Sequence, residues 1–167
     1  MTSITPALAA TDYVSSVTYN SVPTSFPHRS ASFSGINQIS GKIIGACIKV
    51  HKKLGLGLLE SAYEACVAYE LRELGLQVER QKPVPLIYEE VKLDCGFRAD
   101  MLVEGTVVVE FKSKEAVHPV DFAQLLSHLR LLNVPLGLLI NFHVTILKNG
   151  ITRMVNDYRE EPDGKVG

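Results

Sequence analysis

The segment from Phe97 to Lys112, Phe-Arg-Ala-Asp-Met-Leu-Val-Glu-Gly-Thr-Val-Val-Val-Glu-Phe-Lys, constrains the fold of this chain more than any other. Its β-branched and apolar content predicts two short strands joined by a tight turn at Glu104-Gly105. Asp100 stands in the first strand, and Glu110 and Lys112 stand in the second. Charges inside so apolar a hairpin are costly unless they are paired or put to use.

Strand alternation puts Glu110 and Lys112 on one face. The loop length then decides where Asp100 points. A two-residue loop, Glu104-Gly105, sets Asp100 opposite Val109 and turns it away from Glu110. A three-residue loop, Glu104-Gly105-Thr106, sets Asp100 opposite Glu110, so that both carboxylates and Lys112 share a face; Gly105 suits the left-handed position of such a loop. Two carboxylates directly opposed repel each other, so that register calls for a cation between them. The expectation is a divalent metal held by Asp100 and Glu110 with Lys112 beside it. The competing reading is that the three residues line the solvated face of an antiparallel sheet.

Residues 1–35 differ from the rest. They are rich in Ser and Thr, carry Pro6, Pro23 and Pro27, and have only Asp12 and Arg29 as full charges, which predicts a disordered extension. A folded domain is expected over 36–156, followed by a charged tail over 157–167. Ile36, Ile39, Ile43, Cys47 and Val50 recur at helical spacing, and the helix ends at Gly55-Leu56-Gly57. Its polar side carries Lys42, Lys49, Lys52 and Lys53 without an acid, a candidate phosphate-binding face or simply a solvated one. A second helix is predicted over 58–74, with Glu60 at the margin of its buried face. A strand is predicted over 76–88, where Pro83 and Pro85 mark an edge or bulge. A third helix runs from Pro119 to Leu132 and carries Gln124 and His128 on a common side. A buried strand follows over 135–142, and then a hairpin in which 144–147 pairs with 151–155 around Asn149-Gly150.

A net charge of −1 means that any nucleic-acid contact must come from local clusters rather than from the whole surface. Cys47, Cys66 and Cys95 show neither C-x-x-C nor zinc spacing, which argues against a disulfide framework or thiolate metal site and fits a reducing cytoplasm. His51, His118, His128 and His143 match no metal-ligand spacing. The longest apolar run is too short to span a membrane, and the N-terminus lacks the basic and apolar regions of a secretory signal.

Gly57-Leu-Leu-Glu60-Ser-Ala-Tyr63 matches the G-x-x-E-x-x-Y signature. Asp100, Glu110-Phe-Lys112, Gln124-Leu-Leu and Gly137-Leu-Leu-Ile-Asn-Phe142 follow in order. On these residues the chain resembles the GxxExxY protein family of the PD-(D/E)xK nuclease-like superfamily. The resemblance implies a restriction-endonuclease-like α-β-β-β-α-β core, here within a mixed α/β sheet with an extra N-terminal helix and a C-terminal hairpin. It further implies that Asp100 and Glu110 ligate Mg²⁺ (or Mn²⁺), with Glu60 as the helix-borne acid and the Phe111 carbonyl as a further ligand. Lys112 would complete the E-x-K pair and Gln124 would orient substrate or water. The implied activity is hydrolysis of phosphodiester bonds in DNA, or RNA. A catalytically silent binding module on the same fold is the alternative. Where Leu56, Asp121 and His128 stand, the family often has Pro, His and Tyr, which leaves substrate contacts near the third helix open.

Overall fold

A computed structural model describes residues 33–93 and 96–156. The expected disordered stretch lies outside these residues up to position 32, and the charged tail lies outside them entirely. The first helix begins three residues earlier than its apolar period suggests. Helix α1 spans Phe33–Leu54 and α2 spans Glu60–Glu73. Strands β1 (Val78–Pro83), β2 (Leu86–Tyr88), β3 (Val91–Leu93), β4 (Arg98–Val103) and β5 (Val107–Lys112) follow. Then come α3 (Pro119–Leu132), β6 (Leu136–Asn141), a 3₁₀ turn at Leu147–Gly150, and β7 (Ile151–Val155). No helix among the described residues is long and apolar enough to cross a membrane.

The main sheet has the order β1-β4-β5-β6-β7. Only β5 and β6 run parallel, linked through α3 as a parallel pair requires. Alternation along β5 divides the molecule into three layers. Val107, Val109 and Phe111 join the cluster that α1 and α2 bury with Ile43, Cys47, Tyr63, Val67 and Leu71. Val108 joins Leu102, Leu139, Leu125 and Leu129 on the α3 side. A Cβ on Gly137 of β6 would lie 2.9–3.0 Å from Leu125 and Leu129, so the missing side chain is what lets α3 sit this close to the sheet. The result is a mixed α+β domain with the restriction-endonuclease-like order α2-β1-β4-β5-α3-β6, preceded by α1.

Two expected elements are rearranged. The single strand over 76–88 breaks at Pro83–Pro85, and its second part turns away to pair with β3 as a separate ribbon. At the C-terminus, β7 pairs with β6 rather than with 144–147, and Asn149-Gly150 ends a 3₁₀ turn. All six residues of β6 are buried, and its second edge needs a hydrogen-bonding partner, which β7 supplies.

Candidate metal centre

The β4–β5 loop has three residues, Glu104-Gly105-Thr106, and the pairs Val103↔Val107, Leu102↔Val108 and Met101↔Val109 follow from it. One further step brings Asp100 level with Glu110, but there the backbone ladder stops. Asp100 Oδ2 instead accepts the Phe111 N–H at 2.8 Å. On the opposite edge of β5, the Lys112 carbonyl accepts the Phe142 N–H at 2.7 Å. Backbone groups alternate sides along a strand, so the Phe111 N–H and C=O both face β4. The backbone ladder thus gives way to a side-chain carboxylate, and the Phe111 carbonyl lies on the β4 side of β5.

Glu110 projects from β5 toward α3 and is 1% exposed. Its Oε1 lies 2.7 Å from His128 Nδ1, and its Oε2 lies 3.6 Å from Lys112 Nζ. That second contact is an ion pair too long for a hydrogen bond, and Oε2 is one of two buried side-chain oxygens among the described residues with no hydrogen-bond partner. The other, Thr106 Oγ1, belongs to the loop at the far end of the hairpin. An unsatisfied buried carboxylate oxygen is costly. Asp100 feels the consequence. Burial and then the adjacent Glu110 charge push its carboxyl from 3.8 to about 6, against the opposing pull of the Phe111 N–H and the Lys112 ammonium. The charge of Glu64 adds a further upward push.

Glu60 is differently placed. It is exposed at the start of α2, and its Oε1 accepts the Ser113 N–H at 3.0 Å. Ser113 Oγ in turn donates to the Leu58 carbonyl at 2.7 Å. Tyr63 finishes this clasp. Its hydroxyl donates to the Gly55 carbonyl at 2.8 Å and accepts the Leu58 N–H at 3.2 Å, while its ring stacks on Phe142 at 4.1 Å. Gly57 adopts φ +102°, a conformation open to glycine. In this chain the Gly57, Glu60 and Tyr63 signature therefore fastens the α1–α2 loop to the end of β5.

The helix acid electrostatically coupled to Asp100 is Glu64, one turn beyond Glu60. It is 4% exposed and bound by Arg80 Nε and Gln81 Nε2, each at 2.8 Å. Gln81 lies level with Asp100 on β1, between the pairs Arg80↔Met101 and Lys82↔Ala99. Of the two polar residues expected on α3, Gln124 is exposed, whereas His128 is buried against Glu110. Among the described residues, no three His, Cys, Asp or Glu side chains converge as a ready-made metal cluster, so Glu60 does not join Asp100 and Glu110. Of the lysines on α1, Lys49 is paired with Glu70, and Lys42, Lys52 and Lys53 are exposed.

The loop after Lys112 is held by Asn141. Its Oδ1 accepts the Lys114 and His143 N–H groups, each at 3.2 Å, and its Nδ2 donates to the Lys114 carbonyl at 2.8 Å. Lys114 Nζ reaches Asp121 at 2.6 Å, and Asp121 Oδ2 also accepts the His118 N–H at 2.8 Å, capping α3. Burial raises the Asp121 carboxyl, but the bonds from Lys114 and the His118 amide outweigh it and hold this group below its ordinary value. Cys47, by contrast, is wholly buried with its thiol pushed far up, and is unreactive packing.

Pattern reading gives no site role to Glu64, to Asn141 within its motif, or to His128 beside Gln124. His128 alone left a signal, since it falls within the Leu125, Leu129, Leu132 stripe of α3. The donor set fits a small, hard cation: one carboxylate oxygen without a hydrogen bond, a second carboxylate raised by burial and by its neighbour's charge, and a backbone carbonyl on the same side of β5. No curated protein and no solved structure matches the chain. Residues 37–154 match the sequence model of the PD-(D/E)XK nuclease superfamily.

Proposed function

Because the chain belongs to the PD-(D/E)XK nuclease superfamily, we propose that it is a metal-dependent nuclease hydrolysing phosphodiester bonds, with DNA ahead of RNA as substrate. Its Gly57, Glu60 and Tyr63 spacing supports placing it in the GxxExxY branch. The observation that carries the reading is the buried Glu110 Oε2 beside Asp100: it accepts no hydrogen bond, and its ion pair with Lys112 is loose, at 3.6 Å, so two apposed acids share one distant ammonium.

Asp100, Glu110 and the Phe111 carbonyl would hold Mg²⁺, or Mn²⁺ in its place, through oxygen alone, as these hard cations prefer. The bound ion supplies a more acidic water and neutralises charge on the phosphate. Lys112 is 12% exposed at its side chain, close enough to the pair to be oriented and open enough to meet a phosphate oxygen or the attacking water. Glu64 keeps Gln81 and Arg80 in place beside Asp100. Glu60 secures Ser113 and with it the end of β5. Gln124 has the exposure suited to touching substrate rather than the ion.

The absence of a three-acid cluster among the described residues favours one further reading, a domain that binds nucleic acid without cutting it. Incubating the purified chain with single- and double-stranded DNA and RNA in Mg²⁺ or Mn²⁺ separates the two. Cleavage that falls about 100-fold or more in Asp100→Ala and Lys112→Ala supports the enzyme. Binding without cleavage on every substrate supports the silent domain.

A further inference from the structure

We propose that His128 is the positioning residue of this site, holding Glu110 by one oxygen so that the other faces the cation. The inference rests on the metal-centre reading above. His128 Nδ1 and Glu110 Oε1 are 2.7 Å apart, and both residues are buried, at 2% and 1% exposure. A carboxylate is an acceptor here, so the imidazole N–H donates. Glu110 is thereby left with one oxygen fixed and one unsatisfied.

The carrier of the imidazole is rigid. Leu125 and Leu129 of α3, both buried, close on the bare backbone of Gly137. His128 sits on the same buried side of the helix, with the ring shut off from solvent. Asp100 is treated in the same manner from the other strand, where the Phe111 N–H occupies Oδ2. Each carboxylate is thus held by a hydrogen bond at one oxygen, and in Glu110 the other accepts none, the arrangement in which ligands are set before the ion arrives rather than recruited by it. Without the imidazole, Glu110 is free to turn Oε2 onto Lys112 Nζ, only 3.6 Å away, and so withdraw it from the ion. Gln124 cannot substitute, because it is exposed one turn earlier.

The test is calorimetric titration of Mn²⁺ into the full chain, comparing wild type with His128→Leu, His128→Asn and His128→Gln, and with thermal melts of all four. An Asn amide N–H occupies roughly the place of Nδ1, whereas a Gln amide reaches that of Nε2. His128→Leu and His128→Gln should bind Mn²⁺ about 10–100-fold more weakly, and His128→Asn within about threefold of wild type. Equal losses in the Asn and Gln variants, or binding in His128→Leu as tight as wild type, would overturn the positioning role while leaving the metal centre standing. A wild-type chain that takes up no Mn²⁺ would overturn the metal centre and this inference with it.

Discussion

Asp100 and Phe111 are joined by a hydrogen bond of 2.8 Å from the Phe111 N–H to the Asp100 carboxylate, at the point where the β4–β5 ladder ends. A side chain takes over where strand pairing stops. The candidate site is therefore a consequence of how the sheet frays, and its acid–base behaviour follows from that placement.

With no metal present, the Asp100 carboxyl is raised from 3.8 to about 6, chiefly by burial and by Glu110. The folded chain holds this proton more tightly than the unfolded chain. Its contribution to stability is therefore most favourable below about pH 4, falls as the pH rises toward 6, and is lost above that. Asp100→Asn keeps an acceptor for Phe111 and removes the charge. At pH 7.5 the metal-free variant should be more stable than wild type by on the order of 2 kcal/mol, with the gap closing below pH 4. Urea denaturation with chelator at several pH values measures this, and a gap that does not depend on pH would contradict it.

Protons and a divalent ion compete for Asp100, so Mn²⁺ affinity should rise with pH through about 6. Glu64 adds to the upward push on Asp100, and Glu64→Gln removes that charge while retaining side-chain bonding capacity. The midpoint of the pH–affinity curve should move down by roughly half a pH unit. An unchanged midpoint would show that Glu64 is not coupled to the pair.

Tyr63→Phe keeps the stack on Phe142 but removes the hydroxyl that joins Gly55 to Leu58. The expected cost is about 1–2 kcal/mol in chemical denaturation. Amide exchange should quicken in the α1–α2 loop and at Ser113, because the loop, Glu60 and Ser113 form one clasp. Exchange that quickens only at Gly55 would mean that the two halves act separately.

Gly150 meets the site from behind. A Cβ there would lie 2.3 Å from the Asn141 carbonyl oxygen, and Asn141 is what holds Lys114. Gly150→Ala should destabilise the fold by about 1–3 kcal/mol and also weaken Mn²⁺ binding, since the loop after Lys112 must shift. Lost stability with intact metal affinity would show that the shift stops at Asn141.

Local pattern was enough for much of this. The conflict between apolar strand and charged residue in Asp100, Glu110 and Lys112 pointed to two loop lengths, and the observed pairing is the three-residue one that puts the acids level. Helical spacing of Ile43, Cys47 and Val50 marked the buried face of α1 correctly. Glu64 was invisible for a physical reason: its burial depends on Arg80 and Gln81, which reach it from a strand more than a helix length away in sequence. As an isolated helix glutamate it reads like a solvated one. Asn149-Gly150 signals a turn and does lie in one, but the choice of strand partner was made by the empty edge of β6. Glu60 is a metal ligand only by the family resemblance, and the Ser113 amide holds it at the end of β5.

The most direct test is anomalous diffraction from a crystal of this chain soaked in Mn²⁺. The account expects a peak between β4 and β5, at bonding distance from one oxygen each of Asp100 and Glu110 and from the Phe111 carbonyl, and absent in Asp100→Ala. Lys112 Nζ seated between the two carboxylates with no manganese there would contradict it.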